Sequence, residues 1–246
     1  MSEELLYYVL AGFVAQLIDG ALGMAYGVTA SSLLMSFGVP PAAASATVHA
    51  AECFTTGASA LSHRAFGNIS RNLFRRLLLP GVFGAVLGAL LLTHLPGDMI
   101  KPYIAAYLVV VGLYIVRKAF HQAPAREVTT HLTPLAFGGA FADAVGGGGW
   151  GAIVTSNLVA RGHDVRETVG SVNAVEFFVA SASTVVFFAT LGLGHWKIIA
   201  ALAAGGLIAA PLGAWICGRL PRKPFMVAVG ILVVGVSGHT LWRSLS

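Results

Sequence analysis

Residues 143–151 read Asp143-Ala144-Val145-Gly146-Gly147-Gly148-Gly149-Trp150-Gly151. They lie inside a long apolar segment, roughly 132–160, yet four consecutive glycines cannot carry a helix. Each costs about 1 kcal/mol against alanine in a helix interior. The segment is therefore expected to break in its middle. A helix that restarts after such a break exposes backbone N–H groups that need partners in an apolar setting and that favour anions. The run is not a nucleotide-binding loop, because no Gly-Lys-Ser/Thr follows it.

Sliding the chain on itself by 124 residues uncovers a second copy. Asp19 falls on Asp143, Gly23 on Gly147, Tyr26 on Trp150 and Gly27 on Gly151. Further along, Gly38 meets Gly162, His49 meets Asn173, Glu52 meets Glu176 and Ser59 meets Ser183. With small gaps the match reaches Leu95-Pro96 on Leu220-Pro221. The chain is a duplication, divided here into an N-terminal repeat (1–122), a cytoplasmic linker (123–131) and a C-terminal repeat (132–246).

The setting follows from composition. Of 246 residues, 57% are hydrophobic and only 10% are charged, with a mean hydropathy of +0.80. Soluble domains carry about 25% charged residues, so this chain lacks the polar surface to cover itself in water. Eight apolar segments recur, at roughly 5–36, 41–62, 77–94, 102–116, 132–160, 167–190, 198–217 and 224–242. A span needs about 20 apolar residues, which predicts a multi-pass protein of the cell inner membrane. Met1-Ser2-Glu3-Glu4 is acidic where a cleavable signal would be basic, so the first apolar stretch is read as part of the mature protein. Cys53 and Cys217 sit inside apolar segments and are read as small buried hydrophobes.

Charge then bears on orientation. If segments 5–36 and 132–160 were re-entrant, each leaving on the face by which it arrived, one side would collect all 15 Lys and Arg residues except Lys101, Lys197 and Arg243. Eight full crossings would spread them over both sides. The positive-inside rule favours the first arrangement, with the basic loops in the cytoplasm. The net charge of +5 is thus an orientation signal, not a nucleic-acid surface. The expected fold is an all-α membrane protein of two inverted repeats, each a re-entrant or broken helix hairpin plus three transmembrane helices. Inverted repeats with broken helices are a common plan of secondary transporters.

A second polar set lies in the segments after each break. Thr47, His49, Glu52, Thr55, Thr56 and Ser59 have Ser171, Asn173, Glu176, Ser181 and Ser183 as their counterparts. Positions 45, 49, 52, 56 and 59 recur every three to four residues and so form one helical stripe. Serines and threonines there can act as glue between helices. Glu52 and Glu176 are costly inside a membrane and need partners, a water path or a proton. His49 and Glu52, three residues apart, are expected to be able to bond each other. No metal is expected, since Asn173 replaces His49 in the second copy. The arginine-rich loop 63–76 reads as an orientation signal and headgroup contact, with some members able to gather anions.

These residues carry a family resemblance. The opening unit (12–68), its copy from Gly138 with the 143–151 stretch, and Asn173-Ala174-Val175-Glu176 resemble the sulfite exporter TauE/SafE family over essentially the whole chain. The first break departs from the family pattern, with Ala21-Leu22-Gly23-Met24-Ala25-Tyr26-Gly27 in place of a string of glycines. The resemblance implies a permease for sulfite, sulfonates or related small anions. Combined with the residues, it predicts substrate contacts at Gly23, Tyr26, Gly27, Ser31, His49, Gly147, Gly148, Trp150, Gly151, Thr155, Asn157 and Asn173. Coupling to protons or sodium falls to Asp19, Glu52, Asp143 and Glu176. No cofactor is expected; the partners are the small anion, membrane lipid and a second copy in a homo-oligomer. An anion channel of the same architecture is the alternative, with the paired hairpins as its filter. A membrane enzyme would need a nucleophile and base set that the sequence lacks.

Overall fold

The computed structural model describes residues 3–120, 127–192, 194–219 and 221–245, so residues 123–126 of the linker lie outside the described residues. The described residues form ten helices and no strand. The first repeat holds α1 (Glu3–Leu22), α2 (Tyr26–Ser36), α3 (Pro41–Ala65), α4 (Arg71–Thr93) and α5 (Gly97–Lys118). The second holds α6 (Leu132–Gly146), α7 (Trp150–Ala160), α8 (Val165–Leu191), α9 (Trp196–Ile216) and α10 (Arg222–Leu245). Six of these helices are long and apolar enough to cross a membrane. Exposed Leu79, Phe83, Tyr103, Val185 and Trp242 give the molecule an apolar outside, the inverse of a soluble surface. The protein is a multi-pass membrane protein.

Segments 5–36 and 132–160 are each two helices with a break between them. The second break is a run of left-handed backbone: Gly147, Gly148 and Gly149 have φ of 71°, 158° and 142°. Each broken segment doubles back on itself. The Tyr8 ring near the start of α1 lies edge-on against Phe37, just beyond α2, with centroids 6.4 Å apart. In the second, the Arg161 guanidinium beyond α7 donates to the Thr130 carbonyl and hydroxyl ahead of α6, at 2.8 and 2.7 Å.

Each hairpin packs against the other repeat. Small residues let the backbones approach closely, as they do generally between membrane helices. On α1, Gly12 sits against Leu202 and Gly20 against Gly213 of α9, so the two helices run in the same direction. On α4, Gly84 and Gly88 meet Phe137 and Phe141 of α6 in the matching way. The central pair is α3 with its counterpart α8. These cross antiparallel, since Cys53 meets Thr184 while Ser59 meets Asn173. The pair α5 and α10 meets through Gly112 against Val234 and Gly230 against Val116.

Local signals set the helix starts. Pro41 occupies the first turn of α3, where a missing N–H costs nothing. Asp164 caps α8, its side chain accepting the Glu167 N–H at 2.9 Å.

Candidate functional site

The two breaks meet at the centre of the molecule. A Cβ at Gly148 would fall 2.2 Å from the Gly27 carbonyl carbon and 2.3 Å from the Val28 nitrogen. One at Gly151 would fall 2.4 Å from the Gly23 carbonyl oxygen. The breaks therefore touch backbone to backbone, and glycine at these points is a requirement of contact. Gly23, Gly27, Gly147, Gly148 and Gly151 are all brought together, as expected from the duplication.

Freed backbone groups at a break must find partners where water is scarce, and α3 supplies several. Ser45 donates to the Ala144 carbonyl at 2.7 Å, and His63 Nε2 lies 2.9 Å from the Gly20 carbonyl. Ser31 of α2 donates to the Gly147 carbonyl, and the Tyr107 hydroxyl of α5 donates to Gly148 at 3.1 Å.

The two aspartates do matching work. Asp143 Oδ1 accepts the Trp150 N–H at 2.9 Å, capping α7 from within its own break. Its Oδ2 lies 3.0 Å from His49 Nε2. Asp19 has the same two kinds of neighbour, the Tyr26 N–H and the Asn173 side chain, while its Oδ2 has no hydrogen-bond partner among the described residues. His49 and Asn173 are counterparts in the repeat, so each half lends one polar side chain to the other half's aspartate. Asn173 is itself held by Ser59, which donates to its Oδ1 at 2.8 Å.

Glu52 and Glu176 differ from this pattern. Among the described residues neither oxygen of the buried Glu52 carboxylate has a hydrogen-bond partner, and Glu176 Oε2, like Asp19 Oδ2, has none either. The expected His49–Glu52 bond is not made. His49 turns its Nε2 to Asp143 and its Nδ1 to the Ser45 carbonyl at 2.8 Å.

Among the other expected residues, Tyr26, Trp150 and Thr155 are buried at the breaks. The indole N–H of Trp150 donates to the Val172 carbonyl at 3.2 Å. Asn157 is half-buried and meets Tyr114 of α5 instead of the breaks. It sits two turns into α7 on the face away from the buried one, so it is not part of this centre. Sequence reasoning missed Gln16, Tyr107 and His63. Gln16 carried a readable signal, being an amide one helical turn before Asp19 in an apolar run.

One break is strained where the other is not. Ala25 has φ 112° at the position that Gly149 fills in the second copy, and non-glycine residues in such regions cost about 1–3 kcal/mol. Ala25→Gly is expected to raise stability by about 1 kcal/mol after the entropy of the freer unfolded chain is deducted. Thermal unfolding of the purified protein in detergent measures it, and an unchanged or lowered midpoint would contradict the strain.

A groove of about 920 Å³ also opens beside α3, α4 and α8, lined by Arg64, Arg71 and Arg75 together with Phe74, Phe177 and Phe178.

The family profile described as "Sulfite exporter TauE/SafE" matches residues 8–240. The chain is 43% identical over 250 residues to the "Probable membrane transporter protein YtnM" of Bacillus subtilis (strain 168), covering 97% of this chain and 83% of that protein. It is 28% identical over 240 residues to the "Probable membrane transporter protein ORF9" of Sinorhizobium sp, covering 92% of this chain and 89% of that protein.

Proposed function

The chain belongs to the sulfite exporter TauE/SafE family, a family of membrane permeases, and on that premise we propose that it is a secondary carrier for a small anion. The substrate class is sulfite or an organosulfonate, bound where the two breaks meet and driven by a proton or sodium gradient. The observation that carries this reading is the paired break: two helix starts, α2 and α7, each opening on the same central contact, with four buried acids around it. Helix starts favour anions, and Thr155 adds a buried hydroxyl without a protein partner beside Gly23.

The acids divide their work. Asp19 and Asp143 hold the helix starts in place and are positioning residues. Glu52 and Glu176 take no such part, which leaves them to carry the coupling ion. The doubling back of both hairpins and the antiparallel crossing of α3 and α8 support two inverted repeats with re-entrant hairpins. Arg64, Arg71 and Arg75 gather anions at the cytoplasmic mouth by long-range attraction.

A carrier is favoured over a channel because Gly148 and Gly27 close the midplane backbone to backbone. An alternating-access cycle requires such a closed contact, whereas a filter requires a continuous path. The test is uptake of labelled sulfite into proteoliposomes, with sulfonates as competitors. Flux is expected to saturate and to depend on an ion gradient, and Glu176→Gln is expected to lower it by about tenfold or more, equivalent to ~1.4 kcal/mol. Ohmic currents would replace the carrier by a channel. No substrate-dependent flux under any gradient would sink both.

A further inference from the structure

The first half holds a polar cluster that its counterpart lacks. Gln16, Tyr26, Glu52 and Thr55 are each at most 1% exposed. Both polar atoms of Gln16, the Tyr26 hydroxyl, both Glu52 oxygens and the Thr55 hydroxyl have no hydrogen-bond partner among the described residues. The four side chains are neighbours. Gly206 of α9 faces Thr55 and Gln16, a Cβ there lying 2.2 Å from Thr55 Cγ2 and 3.5 Å from Gln16 Cβ. Tyr26 feels both Thr55 and Glu52, and Glu52 Oε1 would lie 2.9 Å from a Cβ at Gly27, inside the first break.

The equivalent place in the second half keeps the acid, as Glu176, but loses the three neutral polar side chains. Gln16, Tyr26 and Thr55 correspond to Ala140, Trp150 and Val179. Gly81 of α4 takes the place of Gly206, and a Cβ there would meet Val179 at 3.1 Å and Trp150 at 3.2 Å. The same fold thus fills the places of Gln16, Tyr26 and Thr55 with apolar or differently bonded side chains around the retained glutamate. Leaving buried polar side chains unpaired is costly, and the second half shows that the architecture does not require Gln16, Tyr26 and Thr55.

We propose that Gln16 Oε1, Tyr26 Oη, Thr55 Oγ1 and the Glu52 carboxylate form a sodium site, present in the first half only. This deepens the carrier reading above and rests on it for its purpose, the coupling of anion movement to sodium. Hard cations take oxygen ligands, and transporters place such sites beside broken helices. Asp19 and Asp143 lie within electrostatic reach of Glu52, so a cation beside Glu52 would offset the acids that surround the anion at the breaks. One carboxylate with three neutral oxygens matches a single positive charge. A bare proton would occupy one carboxyl oxygen and leave the side chains from α1 and α2 unexplained.

The test is binding of radioactive sodium to the purified full-length protein in detergent at pH 8. Choline chloride holds the ionic strength constant, and no sulfur anion is present. Saturable binding is expected, displaced by unlabelled sodium chloride and not by choline. Thr55→Val, which copies Val179 and leaves shape unchanged, is expected to weaken it by about tenfold or more, the effect of losing one hydrogen-bond-strength contact to a charge. Tyr26→Phe should act likewise and serves as the second variant if Thr55→Val elutes as aggregate. Val179→Thr should leave the affinity unchanged. No saturable sodium binding, the result if the cluster holds only water or a proton, would overturn the proposal. So would equal binding by wild type, Thr55→Val and Tyr26→Phe. Sulfite flux driven by a proton gradient alone separates the outcomes: flux without sodium binding removes the site and keeps the carrier, and absence of flux under every gradient removes the carrier.

Discussion

Gly148→Ala is expected to unfold or grossly destabilise the protein, by about 3 kcal/mol or more, the combined scale of overpacking and of backbone strain. The new methyl would have to occupy space 2.2 Å from the Gly27 carbonyl carbon and 2.3 Å from the Val28 nitrogen. Both obstacles are backbone atoms of the opposing break, so no rotamer change relieves the clash. The residue also sits at φ 158°, on the side of conformational space that an L side chain avoids. The two hairpins would have to part, and with them the caps that Asp143 and Ser31 provide. Gly138→Ala is the control: it is a glycine ten residues earlier in α6 with nothing within 4 Å of a new Cβ. In an exposed helical position alanine should be neutral or stabilising by about 1 kcal/mol. Thermal unfolding and monodispersity in detergent measure the pair. Equal midpoints for the two variants would mean that the breaks do not touch as described.

The contrast between those glycines shows what was legible in the sequence. The duplication could be read because acids and glycines in an apolar background recur at one offset, and the broken helices because four glycines cannot sustain helical backbone. Charge pointed to re-entrant hairpins, which remain part of the proposal, since arginines at 64, 71, 75 and 76 and at 161 and 166 fall on one side only if the segments return. Pairing across the breaks was not legible. His49 and Asp143 are 94 residues apart, and no local periodicity relates them. The nearest sequence partner for His49 was Glu52, which shares its helical face. The acceptor it meets belongs to α6. Gln16 escaped notice for a related reason: a single amide in an apolar helix means little until Tyr26 and Thr55 are seen around it. Asn157 misled in the opposite way, being polar and near the second break in sequence but carried to α5 by the turn of α7.

The Asp143 variants should separate a structural role from a protonic one. Both ring nitrogens of His49 face oxygen: Nδ1 the Ser45 carbonyl at 2.8 Å and Nε2 the Asp143 carboxylate at 3.0 Å. The imidazole thereby ties α3 to α6, with the hydrogen of that contact between Nε2 and the carboxylate. Asp143→Ala removes this partner and the cap of Trp150 at once, and breaking a buried pair by deleting one member costs about 3–5 kcal/mol. Asp143→Asn keeps both contacts without the carboxylate charge. Its carbonyl oxygen can accept the Trp150 N–H while its amide donates to Nε2. It should cost about 1 kcal/mol or less in stability, within the scale of one exchanged hydrogen bond. If the contact serves only to glue α3 to α6, sulfite flux and its pH profile should match wild type in Asp143→Asn. If the carboxylate takes part in proton movement during the cycle, the folded variant should lose the pH dependence that wild type shows. An Asp143→Ala protein as stable as wild type would contradict the pairing itself, because the His49 Nε2 and the Trp150 N–H would then stand without their partner at no cost.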